Sequence, residues 1–315
     1  MLTPVSRQQD FPSLADRVYL NTAAEGIPSP PVLEALVRYG RDKLLGMDGR
    51  KPHEAQWRQL RERVARFYGL TPEEIACCSC TSEALNLAAV ALQLRPGDEV
   101  VVNDLDFPAV ATPWLQPSCP ATTRVWRSRQ GALRCEDLVP LLGPKTRFVS
   151  ASLVSFFNGF RLSVPHLAEV VRRHSSALLA VDVTQALGRI PLDLQGADLV
   201  VSSTHKWILG SHGGGLVGVP RARTSEWTAP AGGWFNLKDP FRPDRFDGPA
   251  ESKPGAESFM VGMPAYGAVY AVNAALGYIE RIGVEAIAAH ADPLVRHCLD
   301  ELKKLPVQLI TPDEP

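Results

Sequence analysis

Long apolar runs and an excess of charge of one sign are both missing from this chain of 315 residues. No stretch of about 18 apolar residues occurs, so no membrane-spanning helix is predicted. Lys and Arg number 33 against 34 Asp and Glu, a net charge of −1 that gives no basic field for nucleic acid or an acidic membrane. The first ten residues lack a cationic segment followed by an apolar core, so we expect no signal peptide and a cytoplasmic protein.

A metal-binding pattern of cysteines is missing as well. The six cysteines are Cys77, Cys78, Cys80, Cys119, Cys135 and Cys298. In a cytoplasmic protein they are expected to be reduced thiols. Three of them are closely spaced, but no second Cys/His pair lies at the spacing of a zinc site, so no metal site is predicted.

The chain does contain a regular alternation of short apolar runs and helical patterns. Strands are predicted at residues 100–102, 147–154, 178–182 and 199–202, and a helix at 165–174 with Ser163 as its N-cap. Near-continuous apolar strands separated by helices are typical of a mostly parallel sheet covered on both faces. The predicted fold class is therefore α/β, with the binding crevice at the carboxyl ends of the strands.

The strongest chemical signal is the segment Ser202-Ser-Thr-His-Lys206-Trp, directly after an apolar strand. A lysine at the mouth of such a crevice is a candidate imine-forming nucleophile, because burial lowers the pKa of its amine. A surface lysine on a loop would give the same local pattern, so this segment alone leaves both interpretations open.

Asp182 favours the chemical interpretation of Lys206. It ends the preceding apolar strand, where an isolated buried carboxylate is costly, and consecutive strands in such sheets are often neighbours. A carboxylate opposite a lysine is what pyridoxal phosphate requires: the lysine holds the aldehyde as a Schiff base, and the carboxylate keeps the ring nitrogen protonated. The alternative for Asp182 is a simple strand-end cap.

A third segment, Cys80-Thr-Ser-Glu-Ala-Leu-Asn86, starts an apolar helix. Thr81 and Ser82 place hydroxyl and backbone N–H groups at a helix N-terminus, which suits a phosphate. Ordinary N-capping would need the same residue types. Ser203 and His205 are further candidate phosphate donors.

With these three segments in this order, the chain resembles the class V aminotransferases, a branch of the fold-type I pyridoxal-phosphate enzymes that includes cysteine desulfurases, kynureninases and isopenicillin N epimerase-like proteins. The most specific pieces are Asp182-x-x-Gln185-Ala-x-Gly188 and Ser203-x-His205-Lys206-Trp. The resemblance implies a three-layer α/β/α fold, pyridoxal 5'-phosphate as cofactor, an amino acid as substrate, and a homodimer that shares its active sites.

The resemblance also implies site roles. The implied cofactor-binding residues are Thr81, Ser82, Phe107, Asp182, Gln185, Ser203, His205 and Lys206. Lys206 and Asp182 are the implied catalytic residues, as Schiff-base lysine and ring-nitrogen partner. Gln185 is expected to hydrogen-bond the ring oxygen of the cofactor. Phe107 is expected to stack on the ring, where offset stacking adds about 0.5–1.5 kcal/mol, with a core phenylalanine as the alternative.

Three further residues are candidates for the substrate pocket. Asn21 lies in a segment similar to one that lines the pocket in this family. Asn158 is expected to replace a polar contact whose place is taken by Phe156. Trp234 is expected to reach the pocket from a loop that crosses to the partner subunit, or else to act as an interface anchor.

The resemblance divides the chain into an N-terminal arm (1–25), a large cofactor-binding domain (26–250), and an interdomain helix with a partial small α+β domain (251–315). Residues 221–255 are predicted to form a long loop region, and the strand of the small domain is predicted to begin at Val307–Ile310. Family chains usually continue into the part that holds the substrate-binding arginine and, in desulfurases, a persulfide-carrying cysteine.

The expected function is a pyridoxal-phosphate-dependent transformation of an amino acid, of the aminotransferase or epimerase/lyase type. Phe107 argues against desulfuration, because cysteine desulfurases have a proton-moving histidine at that position. A cysteine desulfurase or related lyase is one alternative. A catalytically impaired relative that acts as a binding partner is the other.

Overall fold

The computed structural model describes residues 3–312. The outermost residues of the predicted arm and of the predicted C-terminal unit, 1–2 and 313–315, lie outside this range. Within it, a seven-stranded sheet has the order β1-β7-β6-β5-β4-β2-β3. The strands are β1 (Ile75–Cys78), β2 (Glu99–Asn103), β3 (Thr122–Trp126), β4 (Thr146–Ser152), β5 (Leu178–Asp182), β6 (Leu199–Ser203) and β7 (Gly215–Gly218).

The pairing of the strands places the carboxyl ends of the parallel strands at one edge of the sheet. β2 to β6 pair in parallel, whereas β7 runs antiparallel to both β6 and β1. In this register Asp182 lies opposite Ser152 of β4 and opposite Val201 of β6. Consecutive residues are buried along β1, β6 and β7, as a sheet covered on both faces requires. The predicted α/β class is confirmed.

Helices cover the sheet. Over the described residues they are α1 (Pro4–Asp10), α2 (Pro30–Lys43), α3 (Arg50–Tyr68), α4 (Thr81–Leu92), α5 (Pro108–Ala111), α6 (Cys135–Leu138), α7 (Val164–His174), α8 (Tyr266–Ile282) and α9 (Val284–Leu302). α4 contacts β6 and β7, α7 contacts β5, and α3 contacts β1 and β7. α8 packs on α2 and α3. None of these helices is long and apolar enough to span a membrane.

The structure differs from the sequence expectation at the C-terminal end of the described range. The strand expected at Val307–Ile310 is not formed, because this segment pairs with no strand among residues 3–312. Instead, the carbonyl of Ile310 lies 3.4 Å from the side-chain amide of Asn158. α9 continues through Pro293, although proline lacks the backbone N–H that a helix interior normally uses.

Candidate active site

A cleft of about 200 Å³ opens at the carboxyl ends of β4, β5 and β6, beside the first turn of α4. It is lined by Cys80, Thr81, Ser82, Phe107, Ala109, Ser152, Val154, Phe156, Asp182, Thr184, Gln185, Ser203, His205 and Lys206. All eight residues predicted to bind a cofactor are in this set. The fold therefore brings together side chains from four separate segments of the chain.

Lys206 lies just beyond β6 and reaches over the ring of Phe107. Its Nζ is 5.2 Å from the centroid of that ring, within cation–π range. Burial lowers the pKa of the Lys206 amine below its ordinary value, and the carboxylates of Asp182 and Glu25 oppose that shift. Phe107 is 45% exposed and packs edge-on against Phe156, so it is not a core residue.

Asp182 presents a buried carboxylate to the same cleft, with 8% of its surface exposed. The backbone N–H of Thr184 donates a hydrogen bond to this carboxylate at 2.7 Å. Burial raises the pKa of Asp182; hydrogen bonds from Thr184 and the charge of Lys206 oppose the rise. A buried anion whose hydrogen-bond donors are neutral is a site for a cationic partner.

The first turn of α4 meets the end of β6 at the other side of the cleft. The hydroxyls of Thr81 and Ser203 are 2.8 Å apart, and Ser82 follows on the same turn. β7 holds these segments close: a Cβ on Gly215 would lie 2.5 Å from the carbonyl carbon of Cys80. Free N–H groups at a helix start, flanked by hydroxyls, favour a phosphate.

Gln185 forms a hydrogen bond that holds the N-terminal segment beside the cleft. Its Nε2 donates to the carbonyl of Ala23 at 2.9 Å, and its Oε1 accepts from Trp207 Nε1 at 2.6 Å. The backbone N–H of Gly26 donates to the carbonyl of His205 at 2.7 Å, and a Cβ on Gly26 would lie only 2.0 Å from the Lys206 carbonyl oxygen. Both functional groups of Gln185 are thus engaged, and the predicted contact with a ring oxygen requires an exchange of one of these bonds.

The three predicted substrate residues do not line this cleft in the chain. Asn21 is exposed, and its carbonyl accepts the N–H groups of Ala24 and Glu25. The buried amide of Asn158 donates to the carbonyl of Gly131 at 2.7 Å and so fixes a turn. Trp234 contacts Phe235 and Phe241 and lines a separate cavity in the loop region.

Thr184 is the residue of the site that the sequence interpretation misses. Its N–H binds Asp182, and its hydroxyl accepts the backbone N–H of Ser203 at 2.9 Å. It thereby connects the end of β5 to the end of β6. Its place two residues after Asp182, within the segment already singled out, is the signal that could have identified it.

The family of the chain follows from comparison with known proteins. Residues 18–314 match the profile of the family described as aminotransferase class-V. This chain belongs to the class V aminotransferases. The predicted family is confirmed, and with it the assignment to the pyridoxal-phosphate enzymes.

Two curated proteins illustrate the similarity within the class V aminotransferases. The uncharacterized aminotransferase YcbU of Bacillus subtilis is 30% identical over 302 residues, which cover 95% of this chain and 78% of that protein. A probable cysteine desulfurase of Pasteurella multocida is 30% identical over 316 residues, which cover 95% of this chain and 73% of that protein.

Solved structures show the same fold. The apo cysteine desulfurase of Thermococcus onnurineus, at 24% identity, superposes with a TM-score of 0.86 over 100% of this chain and 80% of its own. A variant of C-DES that carries glycine covalently linked to its PLP cofactor is 25% identical. Its TM-score is 0.84 over 96% of this chain and 81% of its own. These matches confirm the fold predicted for a class V aminotransferase.

The residues of the cleft fit pyridoxal phosphate. The desolvated carboxylate of Asp182 suits a protonated ring nitrogen, and the Phe107 ring presents an apolar face. The hydroxyls of Thr81 and Ser203 at the start of α4 suit a phosphate. Each part of the cofactor therefore has a matching group within one cleft.

Asp106 is a half-buried residue that brings a second carboxyl close to the site. It accepts the N–H of Ser152 at 2.8 Å and the side-chain amide of Asn103 at 2.6 Å. Burial raises the pKa of Asp106 to about 7; hydrogen bonds from Ser152 and Asn103 oppose the rise, and the charge of Asp182 adds to it. The two carboxyl groups therefore disfavour each other's ionised form.

The raised pKa of Asp106 predicts a pH-dependent stability. Its folded pKa exceeds the unfolded value of about 3.9, so the folded chain takes up a proton that the unfolded chain has lost. The free energy of unfolding is expected to fall as pH rises from about 4 to 7, by up to about 4 kcal/mol from this group. Urea unfolding of the cofactor-free chain across this range measures the slope.

The variants for this measurement are Asp106→Asn and, as the matched control, Asp48→Asn, which changes an exposed carboxyl. Asp106→Asn is expected to make the free energy of unfolding depend less steeply on pH, whether or not it also changes the stability at a given pH. Asp48→Asn is expected to leave the pH dependence unchanged. An equally steep fall in Asp106→Asn would contradict the prediction.

Proposed function

We propose that the protein uses pyridoxal phosphate to break a bond at the α-carbon of an amino acid, with Lys206 as the catalytic residue. The observation that carries this proposal is the pairing, in one cleft, of a half-buried lysine amine above the Phe107 ring with the buried carboxylate of Asp182. An amine with a lowered pKa, next to a carboxylate that needs a cation, is typical of a functional site.

When bound, the cofactor supplies an aldehyde that captures the amine and a ring that accepts electrons from the α-carbon. Asp182 holds the proton on the ring nitrogen, which keeps the ring electron-poor. Thr81, Ser82, Ser203 and His205 hold the phosphate. Phe107 covers one face of the ring and excludes water from it.

Lys206 is the group that moves the proton at the α-carbon. Besides Lys206, the titratable side chains that line the described cleft are Cys80, Asp182 and His205. Asp182 is committed to the ring nitrogen and His205 to the phosphate, and Phe107 has no proton to give. Burial lowers the pKa of Lys206 and so raises the fraction of free amine, which a general base requires.

Cleavage of a carbon–sulfur bond is the second candidate reaction. It is favoured by the relatives named as cysteine desulfurases and by the structure of the cystine C–S lyase C-DES with its product cysteine persulfide. That structure is 26% identical to this chain, with a TM-score of 0.77 over 88% of this chain and 75% of its own. The absence of a proton-moving side chain at Phe107 disfavours this candidate.

The test is a screen of amino acids, cystine included, against the cofactor-loaded protein. One of them is expected to change the visible absorbance of the bound cofactor, and chiral chromatography with mass spectrometry then identifies the product. An oxo acid indicates transamination, the opposite enantiomer indicates epimerisation, and sulfide or a persulfide indicates carbon–sulfur cleavage. A protein that binds the cofactor, converts none of them and forms a stable heteromeric complex would support an impaired binding partner. A protein that gains no visible absorbance with added cofactor would overturn both.

A homodimer and a cytoplasmic location complete the proposal. The exposed apolar side chains of Leu33, Leu36 and Val37 on α2 support an interface with a second copy, as do Trp234 and Phe241. Light scattering is expected to give twice the mass of one chain. All six cysteines are free thiols, which supports a reducing compartment.

A further inference from the structure

Two histidines and a glutamate meet at the edge of the cleft. Glu25, His205 and His212 each offer a ligand atom, and these atoms all lie within 4.8 Å of one another. The rings of His205 and His212 are stacked, with centroids 4.5 Å apart, and His212 Nε2 lies 3.3 Å from a carboxylate oxygen of Glu25. Two imidazoles and one carboxylate therefore meet at a single point on the cleft edge.

One of the three separations between ligand atoms already suits zinc, and the others lie within 4.8 Å. Zinc–nitrogen and zinc–oxygen bonds of about 2.0–2.1 Å place tetrahedral ligand atoms about 3.3 Å apart. The separation of Glu25 and His212 already has this value. The side chains of His212 and Glu25 are 69% and 51% exposed, so they can move the remaining distance toward His205.

The backbone holds the three segments in place. Gly26 donates to the His205 carbonyl at 2.7 Å, directly after Glu25. The hydroxyl of Thr204 lies 2.6 Å from the Ser211 carbonyl and 3.0 Å from that of Gly214, on either side of His212. These contacts hold the backbones of the three segments close together without a metal.

We propose that Glu25, His205 and His212 form a binding site for Zn²⁺ in the cofactor-free chain. Two imidazoles and one carboxylate are donors that zinc prefers, whereas Mg²⁺ and Ca²⁺ favour all-oxygen sites. The site is open to solvent, so water completes the coordination. The spacing of cysteines along the sequence predicts no metal, and these three residues come together only through the fold.

Because of the position of His205, zinc binding is expected to affect cofactor binding. The same imidazole lines the cleft and, on the proposed function, holds the phosphate of the cofactor. Zinc and the cofactor therefore compete for one side chain. Zinc is expected to slow loading of the cofactor, and a loaded protein is expected to bind zinc more weakly.

The first experiment measures zinc affinity of the full, cofactor-free chain by competition with a chromophoric chelator. One Zn²⁺ per chain is expected to bind, and His212→Ala is expected to weaken it by at least about tenfold. His174→Ala, at the exposed end of α7, is the matched control and is expected to bind as the wild type does. Cys80→Ser tests the thiol in the cleft. Unchanged affinity in His212→Ala, or loss in Cys80→Ser alone, would overturn the site.

The second experiment follows the visible absorbance of added pyridoxal phosphate with and without Zn²⁺. Zinc is expected to slow loading of the wild type and to leave loading of His212→Ala unchanged. Equal slowing in both proteins would overturn the shared use of His205. Failure of loading without zinc would instead refute the proposed function, while the chelator measurement still decides the metal site.

Discussion

Replacing Lys206 by alanine is expected to reduce turnover of the amino-acid substrate by at least about 10³-fold, because both covalent capture of the cofactor and proton transfer depend on this amine. The visible absorbance of the lysine-linked cofactor is expected to disappear. Borohydride reduction followed by peptide mapping is expected to find the modified residue at Lys206 in the wild type only. Steady-state kinetics on the substrate found in the amino-acid screen measures the loss.

Two comparisons separate this catalytic role from a structural one. Lys145→Ala removes an exposed lysine and is expected to keep full turnover. A small primary amine added to Lys206→Ala is expected to restore part of the proton transfer, which a misfolded protein would not show. Lys206 is half-buried, so circular dichroism of the variant is expected to match the wild type. More than a tenth of the wild-type turnover in Lys206→Ala would refute its assignment.

The strands that the sequence predicted are those with the simplest signal. β2, β4, β5 and β6 are short runs of β-branched and apolar residues in a parallel sheet, so both faces are buried and the composition alone marks them. β7 begins and ends with glycine, and β3 has a mostly half-exposed pattern, so neither carries that signal. Their pairing depends on partners far away in the chain, which no local pattern contains.

The same distinction applies to the site. Asp182 and Lys206 were predicted to face one crevice because consecutive strands are often neighbours, and β5 does pair with β6. The hydrogen bond from Gln185 to the Ala23 carbonyl and the contact between Glu25 and His212 join segments that are remote in sequence. The amide of Asn158 was expected in the substrate pocket but donates to the Gly131 carbonyl, and this partner too is remote in sequence. The residue type predicts which interactions a side chain can make, and the fold determines the partner in each interaction.

Asp182→Asn is expected to have opposite effects on turnover and on stability. The amide oxygen still accepts the N–H of Thr184, but a neutral amide does not hold a proton on the ring nitrogen. Turnover is therefore expected to fall by about 10²–10⁴-fold, a size typical for loss of one proton-handling group. Kinetics and the pH dependence of the cofactor absorbance measure this effect.

The cofactor-free variant is expected to be at least as stable as the wild type at neutral pH. Burial raises the folded pKa of Asp182 above its unfolded value, so its contribution to stability is present at low pH and is lost as pH rises through the folded pKa. Asparagine carries no charge and removes that loss, so the gain over the wild type is expected to grow with pH. Asp48→Asn, an exposed change of the same type, is the matched control and is expected to alter neither property. A variant that loses turnover and stability together would show that Asp182 supports the fold and not the proton on the ring.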